Sequence, residues 1–247
     1  MGIVSRFLGK KKADPIDFSV IGVDMHSHFI PGVDDGSPST EVSLGLIKEM
    51  AAMGYRKLIT TPHIMVDYYP NVKADIIARG EKLCEDIRLA GIDIRLDISA
   101  EYYADQHFMQ LIERDELMPF GDNYILFEVS FSQVPDNLNN TIFELQHRGY
   151  KPILAHPERY PYWVGNMKKM QDFLDRDVLL QLNINSLTGT YSPQVAKFSE
   201  RLLDEGMITF LGSDCHHPGH QELMAKAASN PALHRYMQSG QCLNGGL

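Results

Sequence analysis

Residues 20–37 read Val20-Ile-Gly-Val23-Asp24-Met-His26-Ser-His28-Phe-Ile-Pro31-Gly32-Val-Asp34-Asp35-Gly36-Ser37. The apolar residues Val20, Ile21 and Val23 predict a short buried strand that delivers Asp24, His26 and His28 at i, i+2, i+4. Alternate residues of a strand face the same way, so the two imidazoles stand side by side. A barrel or sheet interior does not accept that much polarity unpartnered, and a metal ion would partner it. The Pro31-Gly32 break and the acidic turn that follows can return a carboxylate, assigned to Asp35, to the same place.

Outward from this stretch, short apolar runs alternate with helical patterns. Ser37-Pro38 predicts a helix start, a capping hydroxyl followed by proline at the first helical position. The helix runs over 39–53 and stops at Gly54. A strand at 57–61 leads to Pro62-His63, and residues 64–71 read as a loop with exposed aromatics. Further strands are expected at 94–100, leading to Glu101, at 124–127, ending at Glu128, and at 152–155, ending at His156. The last two, 178–182 and 207–212, lead to Asn183 and to Asp214-Cys215-His216. Helices are expected near 72–90, 105–117, 137–148 and 166–176, then from Ser192-Pro193 to Gly206, and in the tail from 220.

Seven short strands alternating with helices predict a parallel α/β fold. Six of the seven run into a histidine or carboxylate. Barrel enzymes place their chemistry at the C-terminal ends of parallel strands, whereas an open doubly wound sheet concentrates it at one switch point. A barrel fits better. No linker or repeat divides the 247 residues, so one domain over 1–247 is expected, with 1–18 as an N-terminal tail.

The formal charge of −9 argues against nucleic acid as a partner. Three cysteines, Cys84, Cys215 and Cys242, with no Cys-x-x-Cys, suit a reducing cytoplasm. Gln221 stands where the Cys-x5-Arg loop of thiol phosphatases needs arginine after Cys215. No apolar run approaches the roughly 18 residues of a membrane span, so stable membrane insertion is not expected. The tail residues Arg6, Phe7, Leu8 and Lys10–Lys12 lack the long apolar core of a signal peptide. Nothing in the sequence fixes an oligomeric state.

The candidate metal ligands are His26, His28, Asp35, His63, Glu101, Glu128, His156, Asp214 and His216. Nine donors exceed the four to six of a single ion. With a bridging carboxylate they suit two or three ions about 3.5–4 Å apart. Imidazole and carboxylate without thiolate favour manganese, iron, zinc or magnesium. Cys215, between two ligands at i, i+2, should point the other way.

The ordered motifs Asp-x-His-x-His…Pro-Gly-Val-Asp-Asp-Gly, Thr-Pro-His, Ala-Glu-Tyr-Tyr, Phe-Glu-Val-Ser, Ala-His-Pro-Glu-Arg-Tyr and Gly-Ser-Asp-Cys-His resemble the polymerase and histidinol phosphatase (PHP) superfamily. More narrowly, they resemble its metal-dependent bacterial protein-tyrosine phosphatases of the CpsB/YwqE type, over about residues 20–220. The resemblance implies a distorted (β/α)7 barrel of TIM-like form holding three divalent ions, usually manganese. It implies that His26, His28, Glu101 and Asp214 hold one ion, Glu101, Glu128 and His156 the second, and Asp35, His63 and His216 the third. The implied partner is a phosphotyrosine protein, a membrane tyrosine autokinase governing capsule or exopolysaccharide export, met from the cytoplasm. Members often carry another arginine after the last Asp-x-His; here that stretch reads His217-Pro218-Gly219-His220-Gln221.

The expected chemistry is phosphomonoester hydrolysis, with metal binding lowering the pKa of water from about 15.7 to roughly 7. Asp214, His216 and Arg159 are the expected catalytic groups. Arg159 also offers a bidentate fork to phosphoryl oxygens, and Tyr103 and Tyr160 are candidate substrate contacts. A phenol leaving group of pKa about 10 needs little acid assistance, which favours aryl phosphates. The alternatives are a small phosphomonoester such as histidinol phosphate, or a catalytically silent PHP fold that acts as a binding module.

Overall fold

The computed structural model describes residues 14–247. The basic stretch Arg6–Lys12 lies outside the described residues. Packing begins earlier than the expected tail boundary at residue 18. The Ile16 amide donates to Ala228 O at 2.9 Å, and buried Phe18 stacks on Tyr55.

In chain order the strands are β1 (Val23–Asp24), β2 (Lys57–Thr60), β3 (His63–Ile64), β4 (Arg95–Ile98), β5 (Glu101–Tyr103), β6 (Tyr124–Glu128), β7 (Lys151–Ala155), β8 (Leu179–Asn183) and β9 (Phe210–Gly212). The helices are α1 (Thr40–Ala52), α2 (Lys73–Leu89), α3 (Gln106–Arg114), α4 (Leu138–His147), α5 (Met167–Leu174), α6 (Pro193–Asp204), α7 (Pro218–Ala227) and α8 (Pro231–Ser239). All strand pairs are parallel, in the orders β1-β2-β4 and β3-β5-β6-β7-β8-β9. The two sheets are one wall with a break. β2 and β3 belong to one run interrupted at Thr61-Pro62, and β4 and β5 to another interrupted at Ser99-Ala100. Proline cannot donate to a ladder, so the expected strand over 57–61 stops at Thr60 and β3 starts beyond Pro62; the expected strand over 94–100 is confined to Arg95–Ile98, with Glu101–Tyr103 a separate strand.

Closure returns β9 to β1. Asp214 N donates to His26 O at 2.8 Å and His28 N to Cys215 O at 3.0 Å, around a parallel bridge between Ser27 and Cys215. The result is a distorted seven-stranded α/β barrel, as the alternation predicts. Two local expectations need correction. Val20 lies in a 3-10 turn (Phe18–Val20) and is exposed, so the first strand is only Val23–Asp24. Helix α1 is capped by Ser39, whose hydroxyl accepts from Val42 N, and not by Ser37. Ser37 is buried, and its hydroxyl instead donates to Ser39 O. At α6 the expected Ser192-Pro193 start holds.

Side-chain alternation builds the site's floor. Leu126, Ile153, Ala155 and Phe210 join Val23, Met25 and Ile59 in an apolar cluster. Their neighbours Ile125, Phe127, Leu154 and Leu211 pack in the larger core beneath the helices. Two residues on from inward positions come Glu128, Asn183 and Gly212, so the interior changes from hydrocarbon to polar at one level.

Asp24 ties the closing seam, accepting from Ser213 N (2.8 Å) and from Ser213 Oγ (2.6 Å). Burial pushes its carboxyl up to about 6 despite those bonds. Asp24→Ala would leave the buried Ser213 N–H unmatched, while Ser213 Oγ keeps His26 O at 3.1 Å, a loss of about 1–3 kcal/mol. The expected result is a lower urea midpoint at unchanged slope; an unchanged midpoint would remove Asp24 from the seam.

Candidate metal centre

The Ser27–Cys215 bridge explains why two i, i+2 motifs aim at one point. The two segments run in parallel, so His26, His28, Asp214 and His216 share one face. Ser27 and Cys215 take the other. Ser27 Oγ donates to Ile59 O, and Cys215 is fully buried in the apolar core. Burial pushes its thiol well up, so it is no nucleophile. His63 and Glu101 are register partners on β3 and β5, and Glu128 ends β6. His156 follows β7 in the left-handed region (φ 35°), and Asp214 shares that conformation (φ 49°). For residues with a Cβ this costs roughly 1–2 kcal/mol each, a strain that collects at functional sites.

Glu101 is the hub. Its Oε2 lies 3.1 Å from His26 Nε2, 3.5 Å from His28 Nε2 and 3.2 Å from His63 Nδ1; its Oε1 lies 3.1 Å from His156 Nε2. Asp214 Oδ1 stands 3.4–3.5 Å from His26, His28 and His216. Glu128 Oε1 is 3.2 Å from His63 Nδ1. Asp35, the most exposed of the nine, reaches His216 at 3.5 Å and His63 at 3.7 Å. All nine expected ligands therefore meet in one mouth.

Four triads are close enough to share an ion: His26, His28 and Asp214; His26, Glu101 and His156; His63, Glu101 and Glu128; and His28, His63 and His216.

The donor set fits divalent ions. Four ligands about 2.0–2.1 Å from one ion stand roughly 3.3–3.4 Å apart in a tetrahedron, close to the 3.1–3.5 Å spacings here. Buried His63 Nδ1 makes no hydrogen bond, although Glu101 and Glu128 oxygens each lie 3.2 Å away. Three imidazoles have their other nitrogen engaged: His26 Nδ1 with Gln181 Oε1 (2.9 Å), His28 Nδ1 with Asp34 Oδ2 (2.7 Å) and His216 Nδ1 with Asp214 O (2.9 Å). Such partners orient ligating histidines and fix their tautomer.

Asp34 and Gln181 are the residues that sequence reasoning missed. The acidic turn sends its first carboxylate behind His28 and its second to the rim. A Cβ on Gly36 would lie 2.3 Å from His28 O, so glycine is what lets this turn press against the histidine.

The mouth opens into a cleft of about 570 Å³ whose lining includes Tyr68, Tyr103, Phe131, Arg159, Tyr191 and His217. Arg159 Nη1 donates to Asp214 Oδ2 at 2.7 Å, and its guanidinium lies 4.5 Å from the Tyr191 ring centre and 5.2 Å from that of Phe131. Tyr103 lines the cleft as expected. Tyr160 does not: it is fully buried behind His156, and its hydroxyl accepts from Val129 N. The ring that was expected to meet substrate instead anchors the β6 loop.

The electrostatics match a cation site. Burial pulls the His26 imidazole down, but the Glu101 and Asp214 carboxylates outweigh it and push the pKa up to about 9. His28 is likewise raised, burial being overcome by Asp34. Burial opposes ionisation of Glu101 and Asp214, yet His26 beside both holds them well below the usual carboxylate range.

Parallel strands closed around a mouth of imidazoles and carboxylates define a metal-centre barrel. The profile of the capsular polysaccharide synthesis family CpsB/CapC matches residues 22–239, and the chain belongs to that family. The tyrosine-protein phosphatase YwqE of Bacillus subtilis is 28% identical over 195 residues, covering 78% of this chain and 77% of the relative. The tyrosine-protein phosphatase CpsB of Streptococcus pneumoniae is 25% identical over 204 residues, covering 78% and 82%. A crystal structure from work on those two proteins, described as unique metal-dependent tyrosine phosphatases, superposes with a TM-score of 0.78 at 27% identity, covering 86% of each chain. Histidinol phosphate phosphatase of Lactococcus lactis shares the fold, with a TM-score of 0.51 at 16% identity over 83% of this chain and 93% of the other.

Metal binding requires neutral imidazoles. With His26 raised to about 9, manganese affinity should climb between pH 6 and 9, with proton release at pH 7. Titration calorimetry in buffers of different ionisation heat measures both. In metal-stripped protein the His26 contribution to stability is complete below its ordinary pKa of 6.5 and is lost as pH rises through about 9. A pH-independent affinity would contradict this reading.

Proposed function

We propose that this chain is a metal-dependent protein-tyrosine phosphatase of capsular polysaccharide synthesis. The observation that carries the reading is Glu101, a buried carboxylate ringed by four imidazoles beside a cleft that holds an aromatic-flanked arginine. His26, His28, Asp35, His63, Glu101, Glu128, His156, Asp214 and His216 would hold the ions, three in number and manganese by preference. Bound there, divalent cations supply Lewis-acid stabilisation of phosphoryl charge and make water acidic enough to act as a nucleophile at neutral pH.

The chain's own groups bind and orient the ester. One Arg159 N–H is committed to Asp214, and the remaining donors of the fork suit phosphoryl oxygens. Tyr191 and Phe131 hold the guanidinium plane from its faces, so little conformational freedom is left to lose on binding. Tyr68 and Tyr103 in the cleft lining offer apolar surface to a phenyl ring. A second arginine is not required to fill the stretch after His216. His217 lines the cleft there, and His220 Nδ1, 2.8 Å from Asp214 O, buttresses the ligand loop.

No helix among the described residues is long and apolar enough to cross a membrane. The reading places the enzyme in the cytoplasm, acting on the phosphorylated tail of a membrane tyrosine autokinase.

His26→Ala and Asp214→Ala should abolish turnover of a phosphotyrosine peptide while leaving folded protein. Chelation should do the same, with recovery on adding manganese. Arg159→Ala should weaken phosphate engagement by about 1.5–3 kcal/mol, read chiefly in KM. Near-normal turnover in either ligand variant, or histidinol phosphate cleaved as well as the peptide, would overturn the assignment.

A further inference from the structure

Gln181 and Asn183 stand at inward positions on β8, buried between the two halves of the ligand set. Gln181 Oε1 lies 2.9 Å from His26 Nδ1 and accepts from His156 N at 3.3 Å. Gln181 Nε2 donates to Asn183 Oδ1 at 2.9 Å, and Asn183 Nδ2 donates to Asp214 Oδ2 at 2.7 Å.

The two ends of this chain fix its polarity. The backbone N–H of His156 can only donate, so the atom facing it must be the Gln181 oxygen. An ionised Asp214 can only accept, so the atom facing it must be the Asn183 nitrogen. Each amide then has a single orientation that satisfies all its partners, and His26 Nδ1 must carry a proton. That leaves His26 Nε2, the nitrogen facing Glu101, Asp214 and His28, as the ligating atom. At the other end, engagement of Asp214 Oδ2 by Asn183 and Arg159 leaves Oδ1 turned to the histidines.

The surroundings are built for this contact. A Cβ on Gly212 would lie 2.6 Å from Gln181 Nε2 and 2.8 Å from His26 Cβ. Only glycine on β9 lets the glutamine and the imidazole pack at this distance.

We propose that Gln181 is a positioning residue for the metal centre, working through a one-way amide relay that sets the His26 tautomer and the Asp214 carboxylate orientation together. It touches neither substrate nor ion. The inference rests on the metal-dependent reading above and assigns a role to a residue outside the ligand set.

The test is manganese affinity by titration calorimetry on the full chain, with thermal unfolding recorded alongside. Gln181→Met removes both arms of the relay and should lower affinity about 10- to 100-fold, the usual consequence of losing a partner behind a ligand. Gln181→Glu keeps an acceptor for His26 and His156 but sets oxygen against Asn183 Oδ1, so its loss should fall between Gln181→Met and the native chain. Because both residues act in one relay, Gln181→Met with Asn183→Ala should lose less than the product of the two single losses.

Near-native affinity in both Gln181 variants would overturn the proposal, as would unfolding changes with affinity intact, which mark a merely structural glutamine. If Gln181→Met fails to fold, the same-sized Gln181→Glu decides. Native protein that binds no manganese would sink the metal reading itself, a result distinct from unaltered binding by the variants.

Discussion

A carboxylate with no exposure to water sits at the centre of this molecule. Isolated, an ionised Glu101 would bear a desolvation cost far beyond the stability of a domain. It stays charged because four imidazoles, two after β1, one on β3 and one after β7, approach its two oxygens. That mutual dependence constrains the fold. The segments just after β1 and β7 and the first residues of β3 and β5 must come to within about one ligand spacing of each other, and a closed parallel wall brings them so near. The apolar plug of Met25, Leu126, Ile153 and Phe210 below keeps the dielectric low, which strengthens every interaction above it.

Much of this was legible because barrel chemistry leaves a simple trace: an apolar run, then a histidine or acid. The eight residues picked on that rule, and Asp35 picked from the acidic turn after Pro31-Gly32, meet in the mouth. What escaped has a physical reason in each case. Asp34 and Asp35 are adjacent in sequence, and which one faces the histidines and which lies behind is decided by the close approach of Gly36 to His28, a tertiary contact. Gln181 sits inside a strand that reads as continuous apolar sequence, and a neutral amide there looks like a tolerated exception. Tyr160 follows a motif arginine and seemed free to meet substrate. Its burial is fixed by Val129 and Phe131, which lie in another segment, and by Trp163 three residues on.

Strand ends were read well and strand breaks poorly. Regular strand pairing is interrupted at Thr61-Pro62 and Ser99-Ala100, although Ser99 N still donates to Thr60 O and Glu101 N to Pro62 O. Beyond the break His63 and Glu101 stand in register with one another. Val20 shows the converse: a β-branched residue before a strand, exposed because Asp17 caps a 3-10 turn over Phe18–Val20.

Asp214 carries the final step of the synthesis. One oxygen belongs to the histidines and the other to Arg159 and Asn183, so substrate grip and ion grip meet on a single carboxylate. An arginine placed elsewhere in the cleft would bind phosphate equally well but would not sense the ions. Here a shift of Asp214 toward either side must alter the other, since the left-handed backbone at Asp214 and the short bond to Asn183 leave the side chain little room. On the proposed function, the fork that Arg159 offers to phosphate is then arranged through the ligand set. The Arg159 guanidinium is already held by the Asp214 carboxylate and lies over the Tyr191 and Phe131 rings, and preorganised donors bind more tightly per contact than mobile ones.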